Sequence, residues 1–548
     1  MNAMVRYFFC LILALNGVQL AHSQERFSRA DTLRGTLSPA RSCYDVSWYD
    51  LSVRIEPETR TVSGINRIHW QAEADFSEIQ LDLDARMQVE GVRFEGKEVP
   101  FRREENAFFV QLPGVQPKGS TGTWEVRFSG KPKISQMPPW DGGFVWEKDS
   151  SSGLYRVFVA CEGEGASLWW PLKDHLSDEP DSMRIALTVP APLMAVSNGR
   201  LTDELPGPDG WDTYVWKVTQ PINSYNVTLY VGEYSRLNQT FTNASGTHDL
   251  IYYVYPGNEK KALQHFRQVK PMLTCFEQHF GEYPFWVDSY KLVESSYWGM
   301  EHQSAIAYGN KYTNVPYGFD YIIIHESGHE WFGNSVSAAD HADLWIHESF
   351  TTYAESVYIE CQKGTDAAQK YLNGQRAAIA NKTPMAGPYG VNYQAWGDND
   401  IYYKGAWMLH TLRKTVNNDS LWHAALRDFP VRFRHTVTDT RAVTGYFSEA
   451  LGMDLEPFFN QYLYHAALPV LHVTATTKKS TYVVDLRWEA QDERFGEVVP
   501  VYLETASGIR RVMVGTGNMR LSWKDKTKKG WSLKTDWGLY DVQFNTEN

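Results

Sequence analysis

The sequence predicts a multidomain α+β protein: an all-β N-terminal domain, a mostly helical middle domain and a small C-terminal β-sandwich. Three observations predict it. At 548 residues the chain is too long for one hydrophobic core. Its apolar pattern changes from two-residue alternation to helical spacing after Tyr255-Pro256-Gly257-Asn258. It changes back to alternation at Leu468-Pro469.

In the first region, residues 49–55 (YDLSVRI), 125–128 (EVRF), 183–189 (MRIALTV) and 226–231 (NVTLYV) alternate apolar with polar side chains. Clusters of Gly, Pro, Asp and Asn separate them, so strands and turns are expected over 24–245. In the second region, Leu263, Phe266, Val269, Leu273 and Phe276 recur at helical spacing over 259–279, with no proline before Pro271. Helices are also expected over 319–332, 343–362, 366–380, 403–416 and 455–465, which makes 246–465 mostly helical, with a small sheet at its start. Residues 470–474, 482–488, 498–505 and 510–514 read as strands of a sandwich over 466–548.

Residues 1–23 read as a leader. Arg6 precedes an apolar run over 7–15, followed by Ala21-His22-Ser23, a small-x-small cleavage site. The run is shorter than the roughly 20 residues that span a bilayer. Export to a periplasm or the medium is expected, with a mature chain beginning near Gln24 and carrying no membrane span. The formal net charge of −12 carries no basic stripe, so nucleic acid is not expected as a partner. Cys43, Cys161, Cys275 and Cys361 form no C-x-x-C pair. Export permits disulfides between them, and free buried thiols fit equally well.

The chemistry is concentrated in His325-Glu326-Ser327-Gly328-His329, an H-E-x-x-H motif. On a helix, four residues turn through about 400°, so His325 and His329 share one face. Two imidazoles so placed can chelate one zinc ion. Glu326 lies about 100° around from His325, placed to reach a water on the metal. Zinc needs a third protein ligand, and Glu348 supplies it on the next helix, with eighteen residues separating it from His329.

The segment 325–334 (HESGHEWFGN) followed by Glu348 resembles the gluzincin aminopeptidases of the aminopeptidase N and leukotriene-epoxide hydrolase type. The resemblance covers most of the chain after the leader. It implies a thermolysin-like zinc catalytic domain, a short three-domain organisation without the large C-terminal helical domain, and one zinc ion per chain. It also implies hydrolysis of the first peptide bond of substrates with a free N-terminus. The family's G-x-M-E-N motif corresponds to Trp298-Gly299-Met300-Glu301-His302, where Trp298 and His302 depart from it. By resemblance Gly299, Met300 and Glu301 bind substrate, with Glu301 on the α-ammonium. Cys161-Glu162-Gly163-Glu164 is the counterpart of a second amine-binding segment, which assigns Glu164 to the anchor and Glu162 to the neighbouring wall. Tyr402 opens a Y-x-K-G-A segment and is implied as the oxyanion stabiliser, with Glu326 as general base. One branch of the family opens an epoxide with the same zinc site, using an apolar channel and a helical domain that this chain is not expected to have.

Overall fold

A computed structural model describes residues 27–393, 398–525, 527 and 530–545. The leader read over 1–23 lies outside the described residues. The fold is α+β and multidomain, as the pattern predicts.

The first region is built on an eight-stranded sheet. At its centre, Tyr44–Glu56 pairs antiparallel with Thr61–Ala72 and parallel with Ser182–Pro190. Tyr49, Leu51, Val53 and Ile55 alternate into the core, and a bulge between Val46 and Trp48 brings Val46 onto the same face. Trp70 stacks on Trp124 at 4.8 Å and Tyr44 meets Trp124 edge-on at 4.9 Å. A four-stranded sheet, which includes Gly143–Lys148 and Tyr155–Ala160, and a three-stranded sheet complete the β region.

The strand expected over 226–231 is only partly present. Tyr230–Gly232 is a strand, but Ser224–Asn226 is a 3-10 turn, capped by the Asn223 side chain. Asn226 is drawn out of the pattern by polar contacts: its Nδ2 donates to Asn334 Oδ1 at 2.8 Å, and its carbonyl accepts from Asn198 Nδ2 at 2.9 Å.

The sheet of the middle region also starts earlier than the expected boundary at 245. Ser235–Asn243 and Gly246–Val254 form a hairpin across that point. They belong to a five-stranded sheet with Tyr290–Glu294, Ile306–Tyr308 and, at the edge, Gly299–Met300. Both faces of this sheet are buried, with period two. Leu250, Tyr252, Leu292 and Ile306 face the helical core, whereas Ile251, Tyr253, Val293 and Ala307 face the β core. The sheet is therefore a shared wall, and the two cores meet through it without a linker.

The helix expected over 259–279 is broken into Glu259–His265 and Val269–Phe280 by a 3-10 turn, Phe266–Gln268. Pro271 has no N–H to give to the turn before it, so the break falls there. Tyr403–Val416 matches its expected span, and Trp345–Lys363 lies within two residues of it. Helices Asp419–Arg432 and Thr440–Leu451 were not delimited from the pattern, although Asn418 and Asp439 cap them with side-chain hydrogen bonds to Leu421 and Ala442 N–H. In the C-terminal region, sheets of four and three strands enclose one core containing Leu471, Val484, Leu486, Val501 and Leu503. Residue 498 ends a short helix, Phe495–Val498, and the strand expected from there begins at Val501.

Cys275 and Cys361 form a disulfide across 86 residues, tying Val269–Phe280 to Trp345–Lys363, while Cys43 and Cys161 are free buried thiols. Closing so long a loop restricts the unfolded chain. Replacing both Cys275 and Cys361 by Ser is therefore expected to lower unfolding stability by about 2–4 kcal/mol. Denaturant titration with and without dithiothreitol checks this: the reductant should move the wild type to the variant's midpoint and leave the variant unmoved. Equal midpoints for the oxidised wild type and the variant would refute it.

Candidate active site

Two helices and one sheet edge bring the motif residues together. Asp320 starts the helix Tyr321–Gly328 by accepting from Ile322 N–H at 3.0 Å. The same carboxylate holds Tyr308 OH and Asn310 Nδ2, each at 2.7 Å, so the helix is anchored to the sheet. The helix is shorter than the 319–332 expected. His329 follows it with helical backbone angles and stays one turn from His325. Beyond it Gly333 takes φ 127°, and Phe332 bridges to Val336. Glu348 sits in the first turn of Trp345–Lys363.

The three predicted ligands converge. His325 Nε2 and His329 Nε2 are 3.3 Å apart, and Glu348 Oε2 lies 3.5 Å from each. The outer nitrogens decide the tautomers. Nδ1 of His325 meets the Glu355 carboxylate at 2.7 Å, and Nδ1 of His329 meets the Phe332 carbonyl at 2.9 Å. A carbonyl only accepts, and an ionised carboxylate likewise, so both Nδ1 atoms carry the protons. In the neutral rings, two bare Nε2 lone pairs then face one another beside a carboxylate oxygen that is buried without a hydrogen-bond partner. Such an arrangement is repulsive unless a cation sits inside it. Ligand atoms about 2.0–2.1 Å from one tetrahedral ion stand about 3.3–3.4 Å apart. The observed triangle matches that spacing, and its N, N, O donor set suits zinc.

Carboxylates dominate the local field. Burial lowers the basicity of His325 and His329, but Glu348 and Glu355 around the first, and Glu348 and Glu301 around the second, outweigh it and hold both imidazoles above their ordinary pKa. Glu326 is pushed up to about 8, by burial first and then by Glu301 and Glu348, against the pull of the two histidines. A dication in the triangle reverses that field for every one of these groups.

Glu326 and the sheet edge are fitted to one another. A Cβ on Gly299 would lie 2.4 Å from Glu326 Oε1 and 2.8 Å from Ile322 Cγ2. Gly299 is therefore required for space. Its neighbour Met300 pairs with Ala307 and is buried along the same wall. Glu301 follows, accepting from Tyr225 OH at 3.0 Å, while its carbonyl takes a 2.8 Å bond from Asn334 Nδ2. His302 is turned into the β core, where its Nδ1 lies 2.7 Å from Tyr230 OH and burial lowers its pKa to about 3.

Glu162 and Glu164 lie the opposite way round from the expectation. Gly163 takes φ 75°, and the turn closes with Gly165 N–H on the Cys161 carbonyl at 2.6 Å, so the side chains on either side of Gly163 diverge. Glu164, expected at the anchor, is 44% exposed at the cavity rim and pairs with Lys133 at 3.3 Å. Glu162, expected as wall, turns inward. Its Oε1 is enclosed without a hydrogen-bond partner, and its pKa is raised by burial and by Glu301, Glu348 and Glu326. Glu162 and Glu301 thus form a buried acid pair with no lysine or arginine ion-pair partner among the described residues.

Tyr402 lines the same cavity of about 810 Å³, its ring 6.1 Å from that of His325. Gly405 allows its helix to touch the Glu348 helix, since a Cβ there would lie 1.8 Å from Ser349 Oγ. Ser349 Oγ also donates to the Ile401 carbonyl at 2.7 Å. Lys404 Nζ caps the His465 and Ala466 carbonyls at 3.0 and 2.7 Å. Two site residues were not read from the sequence. Glu355 lies two helical turns after Glu348 on the same face, a spacing that was available. Tyr225 sits in the irregular turn described above, which carries no such signal.

Residues 265–462 match the peptidase family M1 domain, and residues 46–226 match the peptidase M1 N-terminal domain. This chain belongs to peptidase family M1. Among similar proteins is a leucyl aminopeptidase of Saccharolobus solfataricus, 20% identical over 454 residues, which cover 79% of this chain and 55% of that protein. An aminopeptidase N of Caulobacter vibrioides is 26% identical over 343 residues, 57% of this chain and 38% of that protein. The chain thus spans about half, or less, of the length of these curated relatives. The fold is shared with an M1 zinc metallopeptidase of Deinococcus radiodurans solved with a Tyr-Ser-Ala substrate, at TM-score 0.67 and 23% identity, covering 80% of this chain and 98% of that one.

Glu355 orients His325 from behind. Truncation of such a carboxylate typically costs about 10–100-fold in metal affinity. Glu355→Ala is expected to weaken zinc binding by that factor, measured by competition with a chromogenic chelator. Unchanged affinity would remove the orienting role.

Proposed function

We propose that this chain is a zinc aminopeptidase that hydrolyses the first peptide bond of peptides with a free N-terminus. The observation that carries it is the conjunction of two unmet charges in one cavity. The His325, His329 and Glu348 triangle wants a metal cation, and the acid pair Glu162 and Glu301 wants an organic one. One zinc ion per chain, held by this triangle, is part of the proposal.

When bound by His325, His329 and Glu348, zinc supplies Lewis acidity, which makes a water more acidic and polarises a carbonyl. Glu326 accepts the proton of the attacking water and passes it to the leaving amine. The Tyr402 hydroxyl donates to the oxygen on which negative charge develops. Glu162 and Glu301 receive the substrate ammonium through charge-assisted hydrogen bonds, so only the first carbonyl reaches Glu326. Export is part of the proposal. It rests on the 1–23 segment, and the Cys275–Cys361 disulfide suits an oxidising compartment.

Glu326→Gln is expected to keep zinc, by elemental analysis, and lose about two to four orders of magnitude in kcat on leucyl-p-nitroanilide. Wild-type turnover by this variant would end the general-base assignment. Glu162→Gln should lower kcat/KM about 10–100-fold, the worth of one hydrogen bond to a charged group, whereas Glu164→Gln should stay within about fivefold, as for an exposed ion pair. The reverse order would return the anchor to Glu164. Mass spectrometry of one peptide in free and N-acetylated forms tests the exopeptidase reading: stepwise trimming of the free form only is expected. Internal cleavage of the acetylated form at a comparable rate would leave a zinc hydrolase of another kind.

A further inference from the structure

The cavity mouth carries an unusual pair of side chains. Trp140 is 69% exposed and Trp298 is 45% exposed, although tryptophan is normally well buried. Both line the cavity that holds the zinc triangle. Their rings are 6.5 Å apart, Trp298 stacks on Tyr321 at 5.5 Å and 25°, and Tyr321 stacks on His325 at 5.1 Å and 21°. A file of rings therefore runs from solvent to the metal ligands.

Each ring of the pair is held in place. Trp298 Nε1 donates to Asn310 Oδ1 at 3.0 Å, and its carbonyl accepts from Gly309 N–H at 2.9 Å. Trp140 sits on a loop closed by its neighbour: Asp141 accepts from Gln136 N–H at 2.6 Å and Met137 N–H at 3.0 Å, and Lys133 Nζ caps the Asp141 carbonyl at 2.5 Å. Lys133 also pairs with Glu164, which accounts for that residue's place at the rim. An ordered, exposed, apolar surface at a cavity mouth is a binding surface already shaped for its ligand.

Its position along the sheet edge says which part of a ligand it meets. Gly299–Met300 pairs with Ile306–Tyr308 on one side only, and its free side lines the cavity. Glu301 lies at one end, Gly299 faces Glu326 in the middle, and Trp298 lies at the other end. Extended chain advances about 3.3 Å per residue, so Trp298 is about 10 Å along the edge from Glu301. In a peptide whose ammonium bonds Glu301, the second Cα lies about 8 Å from that carboxylate. The first side chain leaves the backbone well before Trp298, and the second leaves beside it.

We propose that Trp298 and Trp140, with Tyr321 as floor, form an aromatic subsite for the side chain of the second residue, selecting peptides with a large apolar or aromatic residue after the scissile bond. This rests on the aminopeptidase reading above and adds to it the class of peptide preferred. It also gives Trp298, one of the two departures from the family motif, a function.

Steady-state kinetics on leucine amide, Leu-Gly-amide and Leu-Phe-amide test it, with Ala-Phe-amide and Phe-Phe-amide reporting on the first residue. In the wild type, kcat/KM for Leu-Phe-amide should exceed that for Leu-Gly-amide by about tenfold. Trp298→Gly should cut the Leu-Phe-amide value by about the same factor, chiefly through KM, and leave leucine amide and Leu-Gly-amide within about twofold. Trp298→Phe should recover most of the loss, and Trp140→Ala, on an exposed loop, should lose a smaller part on Leu-Phe-amide alone. Equal wild-type rates on Leu-Phe-amide and Leu-Gly-amide would overturn the subsite. So would equal losses on all substrates in Trp298→Gly, or a change of preference at the first residue instead of the second. Cleavage of all free-amine substrates without a second-residue preference sinks the subsite and keeps the aminopeptidase; cleavage of none sinks both.

Discussion

Buried negative charge is the constraint on which the rest of this structure depends. Glu162, Glu301, Glu326 and Glu348 line one cavity, with Glu355 behind His325, and none of the five has a lysine or arginine as an ion-pair partner among the described residues. Removing an ionised carboxylate from water costs several kcal/mol even after relaxation. Such a cluster persists only if the surroundings cannot relax away from it. They come from four elements: a turn of the β region, the edge of the shared sheet, and two helices, one of which carries both Glu348 and Glu355. Close packing holds these elements in place, with Gly299 against Glu326 and Gly405 against Ser349. Polar bonds do the same across the seam, where Asn198, Asn226 and Asn334 link the two regions and end on the Glu301 carbonyl. The cluster is preorganised for cations, and its electrostatic strain is relieved when they arrive.

Much of this was legible in the sequence, for reasons that can be named. The H-E-x-x-H spacing is a property of one helix, so His325, His329 and Glu326 followed from local geometry. Glu348 followed from zinc's need for a third ligand on the next helix, Tyr402 came from motif resemblance, and both line the cavity. The alternation of apolar residues identified Tyr44–Glu56 and Ser182–Pro190 because one period describes a whole strand. What was not legible depends on backbone angles and on contacts between distant segments. The choice between Glu162 and Glu164 turns on the positive φ of Gly163. The boundary near 245 was misplaced because a hairpin reads as two strands of alternating pattern, whichever sheet receives them. Residues 226–231 look like a strand, and only the polar partners of Asn226, more than a hundred residues away in one case, draw its first part into a turn.

The shared sheet has a consequence for how a substrate is measured. Its hydrogen-bonded register fixes Glu301 relative to Trp298 and, through Gly299, relative to Glu326. Its two faces are fastened into both cores at once by Ile251, Tyr253 and Val293 on one side and Leu250, Tyr252 and Leu292 on the other. Rotating one region against the other would tear apolar side chains out of a core on both sides, so the sheet offers no hinge between the Glu162 and Glu301 pair and the triangle of His325, His329 and Glu348. On the proposed reading, the distance from terminus to scissile bond is then a fixed gauge length, set when the chain folds and the same for every peptide that enters.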